Sequence, residues 1–251
     1  MKIRKKTAKI SQARPPLYLV GYRDSPPSLE DLKSWYDLHY GGPLSWLERE
    51  PGRPVSANHG LWHTHLLTSL PDADRSRWKG ALSWDHPSLG SVSPTSAHPS
   101  AIADTILLAA RLARGFTLLT QGTAFDMVSQ EYLNPSDWHD RPLSVFQSRD
   151  HVTVQHSESD DHSTDWFHTL GLSKFGLDEL EVIQPQGLPE IETIALLTSA
   201  ADGVLRAGRN HNIGQSLDLP ALAQTIRFVK HRTAAPAGRM VTFREITTAQ
   251  L

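Results

Sequence analysis

The strongest helix signal in the chain lies at residues 101–120, which read AIADTILLAARLARGFTLLT. Its small and aliphatic residues recur every three or four positions, at Ile102, Ile106, Ala109 and Ala113. This recurrence predicts a helix over 99–114 that buries one face. Gly115 is expected to end that helix, and the apolar run 116–120 is expected to form a strand. This is the clearest boundary between a helix and a strand in the chain.

The residues upstream give the order of elements in the first half. We predict, in chain order, a strand over 17–22, a helix over 28–40, a loop over 43–54, a strand over 55–69, a second strand over 78–84 and a loop over 85–100. Ser28 suits the N-cap of the helix, and Gly41 suits its end. Together with the central helix and strand, this order matches the split β-α-β order of a ferredoxin-like half.

The second half repeats the alternation of strands and helices. Residues 151–170 carry two alternating runs around a polar turn, which predicts a hairpin. A helix is expected from Pro189 to Gly208, followed by a shorter helix over 220–231 and a last strand over 240–243. The predicted fold class is therefore α+β, with a mixed or antiparallel sheet and packed helices.

The near-neutral charge of the chain conceals three unlike segments. Its 251 residues include 25 Lys and Arg against 27 Asp and Glu. Residues 1–14 are basic, 150–192 are strongly acidic, and 205–251 are basic again. The acidic middle and the basic end are expected either to face each other within the fold or to form two solvated surfaces. The first segment is predicted to be a solvated arm, with contact to phosphates as the alternative.

Two alternatives describe the organisation of the chain after the basic arm. A single α+β domain over 15–251 is predicted. The alternative is a pair of lobes over about 15–122 and 123–251.

Composition excludes several classes of protein. The chain has no cysteine, which excludes disulfides, thiolate metal sites, iron–sulfur clusters and a cysteine nucleophile. No stretch approaches the roughly 18 apolar residues of a membrane span, so no membrane partner is expected. The basic N-terminus has no apolar segment after it, which predicts a cytoplasmic protein.

Histidines suggest one candidate metal site. His59, His63 and His65 would share one face if 55–69 were a single strand. Three imidazoles and a water form a known open zinc site, and other divalent metals accept the same ligands. His168, on the predicted hairpin, would be a further inward-facing polar group. The alternative, which we favour, is that these histidines are structural or solvent-exposed and that the protein needs no cofactor.

Other polar residues give weaker signals. Asp165 lies among histidines and carboxylates of the predicted hairpin, and Asp126 follows the predicted strand at 116–120. Both are candidates for a polar site, but a solvated turn and a turn-forming Asp are the favoured interpretations. No G-x-S-x-G, P-loop, G-x-G-x-x-G or H-E-x-x-H motif is present, and S-x-x-K at 76–79 has no companion motif. The catalytic residues, if any, therefore stay unknown.

Three stretches together resemble a group of uncharacterised bacterial proteins that carry a domain of unknown function. They are HPSAIADTILLAARLARGFTLLTQGTAFDMVSQEYLNP, DWFHTLGLSKFGLDELEV and IALLTSAADGVLRAGRNHNIGQ. The likeness covers about 98–215 and is strongest from Trp166 to Glu181. The chain departs from the group at 210–212, where a Gly-containing acidic turn is expected. The resemblance implies a bacterial, cytosolic protein and assigns no catalytic residue.

The function that these observations favour is a non-enzymatic binding or interaction protein. Its partner would be an unidentified protein or small molecule. The alternative is a metal-dependent hydrolase that uses the histidines of 55–69. Nucleic-acid binding is expected only through the basic arm, because the rest of the chain is acidic.

Overall fold

The computed structural model describes residues 17–47, 53–72, 75, 87–94, 102–159, 162–236 and 239–248. Three predictions lie outside these residues: the basic arm at 1–14, the strand at 78–84 and the S-x-x-K motif at 76–79. Within them the α+β class is confirmed, because helices pack on two largely antiparallel sheets.

The first sheet contains seven strands among the described residues, all paired antiparallel, in the order β2-β3-β4-β5-β1-β6-β7. These strands are β1 (Tyr18–Tyr22), β2 (Leu44–Leu47), β3 (Val55–His59), β4 (Trp62–Leu67), β5 (Ser88–Pro94), β6 (Thr123–Asp126) and β7 (Glu131–Leu133). The accompanying helices are α1 (Leu29–Tyr40), α2 (Ile102–Thr120) and the short α3 (Pro135–His139). The order β4-β5-β1-β6, with α1 and α2 as connections, is a split β-α-β order, but β5 and β6 lie outside the ranges 78–84 and 116–120 that were predicted for its last two strands.

Helix α2 is longer than predicted. It runs through Gly115 to Thr120, so the predicted strand at 116–120 is wrong, and the strand β6 follows instead. A Cβ atom at Gly115 would lie 2.6 Å from the Trp35 ring and 2.9 Å from Leu32 Cδ1. The glycine therefore allows α1 to approach α2 closely, and it does not end the helix.

Replacing Gly115 by Ala is expected to destabilise the protein, although alanine is the better helix former by roughly 1 kcal/mol. The added methyl group meets Trp35 and Leu32, and such overpacking costs about 1–3 kcal/mol. Urea denaturation of Gly115→Ala checks this, with Thr198→Ala as a control at an exposed helical position. A Gly115→Ala protein more stable than the wild type would contradict the packing role of this glycine.

Two predicted loops contain strands. β2 lies within 43–54, and β5 lies within 85–100. The sequence of β5, SLGSVSP, has few large apolar residues, and α2 packs against this strand. A Cβ atom at Gly90 would lie 2.2 Å from the Phe116 ring, so this strand position needs glycine.

The second sheet contains six strands among the described residues, in the order β11-β12-β13-β10-β9-β8. They are β8 (Thr153–Glu158), β9 (Thr164–Leu170), β10 (Glu179–Pro185), β11 (Ser216–Leu219), β12 (Gln224–Ala234) and β13 (Val241–Thr248). β10 and β13 are parallel, and the other pairs are antiparallel. The helix α4 (Glu190–Ala207) connects β10 to β11 and packs on one face of the sheet.

The predictions for the second half are partly confirmed. The hairpin is β8–β9, and α4 ends at Gly208, which is left-handed as a C-terminal glycine should be. The helix predicted over 220–231 is wrong, because a 3-10 turn at Pro220–Leu222 leads into β12. Ile226 and Phe228 are buried and alternate with exposed residues, which is the two-residue period of a strand.

Charge pairs connect the acidic middle to the basic end. Arg232 donates two hydrogen bonds to Glu181, and Arg244 donates to Asp178 at 2.7 Å. The two segments therefore face each other, as one of the two alternatives expected. One hydrophobic cluster contains residues of both sheets, and the division between the sheets falls after β7.

Candidate functional site

The histidines of 55–69 lie on a hairpin and not on one strand. Gly60 adopts a positive φ of 60° in the turn between β3 and β4, so the prediction of a single strand is wrong. His59 pairs with Trp62 and stacks on it, with ring centroids 5.0 Å apart. His63 and His65 point to the opposite face of β4, because side chains alternate along a strand. The three imidazoles therefore do not share a face.

His168 lies on β9 in the second sheet. It stacks on Trp166 at 4.1 Å and meets the edge of Phe243. Burial, with the nearby Arg232 guanidinium, lowers its pKa to about 4. Across the described residues, no three histidine or carboxylate side chains form a group that could hold a metal ion. The predicted set of His59, His63, His65 and His168 is thus not assembled.

The two candidate carboxylates also lie apart. Asp165 is buried on β9 and accepts a hydrogen bond of 3.0 Å from His156, so its interpretation as part of a solvated turn is wrong. Asp126 is buried at the end of β6, where one carboxylate oxygen accepts the backbone N–H groups of Val128 and Ser129. The favoured interpretation of Asp126 as a turn-forming residue is therefore confirmed.

Asp126 has a second contact that the sequence did not indicate. Its other oxygen accepts a hydrogen bond from Lys174 Nζ, which also donates to the His151 carbonyl at 2.7 Å. We call Asp126–Lys174 the junction ion pair, because it connects the first sheet to a 3-10 turn at Leu172–Phe175 beside the second. Both side chains are almost completely buried. Burial raises the pKa of the neighbouring Tyr18 well above its usual value, and the Asp126 carboxylate adds to this.

The 3-10 turn is held by a second buried carboxylate, that of Glu179. This side chain accepts hydrogen bonds from the Thr169 hydroxyl and from three successive backbone N–H groups, at residues 171–173. Burial raises the pKa of Glu179, and these four donors act in the opposite direction. The segment 166–181 therefore builds the turn that presents Lys174.

A cavity of about 1170 Å³ lies beside this junction. Its walls come from the start of α2, the segment 146–149, the end of the 3-10 turn, and the C-terminal half of α4 with the residues 208–210 that follow it. We call it the junction cavity. The sequence does not reveal this cavity, because its walls come from four separate parts of the chain.

One wall of the junction cavity is aromatic. Phe146 and Phe175 line it, with their rings edge to face and their centroids 5.6 Å apart. His151 stacks behind Phe146 at 5.0 Å. Burial lowers the pKa of His151 well below its usual value, and the charge of Lys174 adds to this. The wall is therefore apolar and uncharged near neutral pH.

The rim of the junction cavity is cationic. Arg149, Arg206 and Arg209 line it and are exposed. Within the described part of the chain, none of these guanidinium groups has a hydrogen bond or a salt bridge. The lining carboxylate is Asp202, which accepts a hydrogen bond from Ser148. Three cations against one anion favour a ligand with negative charge.

Comparison with known proteins gives no family: no family model, no curated protein and no solved structure matches the chain. The resemblance over 98–215 thus stays a prediction. None of the helices in the described residues combines the length and the apolar character that a membrane-spanning helix needs.

Proposed function

We propose that the chain is a non-enzymatic binding protein whose ligand occupies the junction cavity. The ligand would place an anionic group between the rim arginines and an apolar part against Phe146 and Phe175. The observation that carries this proposal is the combination of three unpaired guanidinium groups with an aromatic wall in one cavity. Guanidinium groups bind carboxylates and phosphates through paired hydrogen bonds.

The size of the junction cavity supports ligand binding. Pockets for small molecules typically measure about 300–1,000 Å³, and this cavity is slightly larger, at about 1170 Å³. Part of the rim has a structural role, because Arg206 lies in the last turn of α4 and a cation there offsets the partial negative charge of the helix end. Arg149 and Arg209 lie outside α4 and are the better candidates for ligand contacts.

The side chains of the junction cavity favour binding over catalysis. Among the lining residues that the structure describes, Asp202 is the single acid, and no histidine or lysine accompanies it. Arginine does not lose its proton in proteins and cannot serve as a general base. Asp202 is thus the one side chain of this described lining that commonly serves as a general acid or base.

Titration with 8-anilino-1-naphthalenesulfonate, whose fluorescence rises in apolar sites, tests the proposal. This probe carries an anionic group and aromatic rings, so we expect saturable binding with one probe per chain. Arg149→Glu/Arg209→Glu is expected to weaken binding at least about tenfold, because each charge-assisted hydrogen bond contributes about 1.5–3 kcal/mol. Arg227→Glu is the matched control, since Arg227 is exposed on β12 and does not line the cavity. Equal affinity in all three proteins would contradict the proposal.

A further inference from the structure

An apolar surface continues from the junction cavity along α4. At 100° per residue, Ile191, Ile194, Thr198, Asp202 and Leu205 lie on one stripe of this helix. We call it the outer stripe. Its C-terminal members line the cavity, whereas Ile191 is 82% exposed and Ile194 is 40% exposed. The opposite side of α4 packs into the core through Leu197, Ala200 and Val204.

The outer stripe is longer than a small ligand. Ile191 and Arg206 are fifteen residues apart, which is about 22 Å at a rise of 1.5 Å per residue. The stripe is apolar at one end and meets the rim arginines at the other. A ligand confined to the cavity would leave both isoleucines in water, and adjoining exposed apolar residues often mark an interaction surface.

From this continuity we infer that the occupant of the junction cavity and the outer stripe is an extended segment of a partner protein. The inference rests on the proposed function. The segment would place aliphatic side chains on Ile191 and Ile194 and carboxylates on the rim arginines. A chain in extended conformation spans about 22 Å with about seven residues.

Polar groups along the stripe favour a polypeptide over an acyl chain. Thr198 and Asp202 lie between the isoleucines and the arginines, and Gln147 lines the same cavity. Their oxygen and nitrogen atoms offer hydrogen bonds to a peptide backbone, whereas burying them against methylene groups would cost free energy. Glu190 and Glu192 flank the isoleucines and would repel the acidic end of the segment. This end would therefore lie at the rim arginines and not at the isoleucines.

Synthetic peptides test the inference by fluorescence anisotropy. Two labelled twelve-residue peptides each carry four leucines at one end and four glutamates at the other. The leucines are N-terminal in the first peptide and C-terminal in the second. A third peptide has the same composition with the residues interleaved. We expect one of the segregated peptides to bind at least about tenfold more tightly than the interleaved one, because only a segregated peptide covers both ends of the stripe.

Substitutions separate this inference from the proposed function. Ile191→Ser/Ile194→Ser is expected to weaken peptide binding at least about tenfold and to leave binding of the fluorescent sulfonate unchanged. Ile183→Ser is the matched control, because Ile183 is 42% exposed on β10 and lies outside the stripe. Circular dichroism and thermal unfolding confirm that the variants are folded.

Each other outcome overturns the inference. Equal binding of the three peptides, or no effect of the isoleucine substitutions, rejects a partner segment while the sulfonate result stands by itself. Binding of dodecanoate that depends on Ile191 and Ile194, without peptide binding, assigns the stripe to an acyl chain. Sedimentation equilibrium could instead show a dimer that the isoleucine substitutions abolish. That result assigns the stripe to a second copy of this chain.

Discussion

Replacing Lys174 by Met is expected to lower the free energy of unfolding by about 3–5 kcal/mol. The substitution leaves the Asp126 carboxylate buried without its counter-charge, and it removes the donor to the His151 carbonyl. Asp126 keeps the two backbone N–H groups of its turn, which do not neutralise its charge. A buried charge that loses its partner is among the costliest changes that a core can suffer.

Urea denaturation of Lys174→Met, Asp126→Asn and the double variant measures this effect. The double variant is expected to lose less than the sum of the two single changes, because the residues contact each other. Lys33→Met is the control, since Lys33 and Asp37 form a partly exposed pair one turn apart on α1, and such pairs contribute at most about 1 kcal/mol. A loss for Lys174→Met no larger than for Lys33→Met would show that the junction ion pair does not hold the two sheets together.

Local signals explain why several elements could be predicted from the sequence. The helix α1 has a Ser28 cap whose hydroxyl accepts the Asp31 N–H, and its end at Gly41 is left-handed. The helix α4 ends in the same way at Gly208. In the β8–β9 hairpin, a polar turn separates two runs of strand-forming residues that pair with each other. Each of these features depends on residues fewer than about twenty positions apart.

Long-range packing explains why other elements could not be predicted. Gly115 is a helix-ending signal by itself, and only the approach of Trp35 from another helix explains why it lies inside α2. The strand β5 contains Gly90 at the position where Phe116 of α2 leaves no room for a Cβ atom. The histidine prediction failed at the two-residue turn of Gly60 and Leu61, which converts one strand into two and places His59 on the opposite face from His63.

The candidate site could not be predicted from the sequence for the same reason. Arg149 and Arg209 are sixty positions apart, and neither belongs to a recognisable motif. The sequence shows the concentration of bases after residue 205. Two of these bases, Arg232 and Arg244, pair with carboxylates of the acidic middle. Only the structure separates the paired arginines from the unpaired ones that line the junction cavity.

Acidification is expected to destabilise the protein through His168. Its pKa is about 4 in the folded protein, against an ordinary value of 6.5, because burial and the Arg232 guanidinium disfavour the charged ring. Neither ring nitrogen has a hydrogen-bond partner among the described residues. Since the folded pKa is the lower one, the unfolded chain binds the proton first, and stability falls as the pH drops from 6.5 to 4. A difference of this size corresponds to about 3 kcal/mol at pH 4.

The stability of His168→Gln as a function of pH isolates this contribution. Glutamine does not titrate, so the variant is expected to lose less stability than the wild type between pH 6.5 and pH 4, although both contain the neighbouring Glu181–Arg232 pair. Urea denaturation at several pH values measures the difference. His139→Gln, at an exposed position of α3, is the control and is expected to follow the wild type. If the His168→Gln and wild-type profiles ran parallel, protonation of His168 would not be the step that weakens the second sheet in acid.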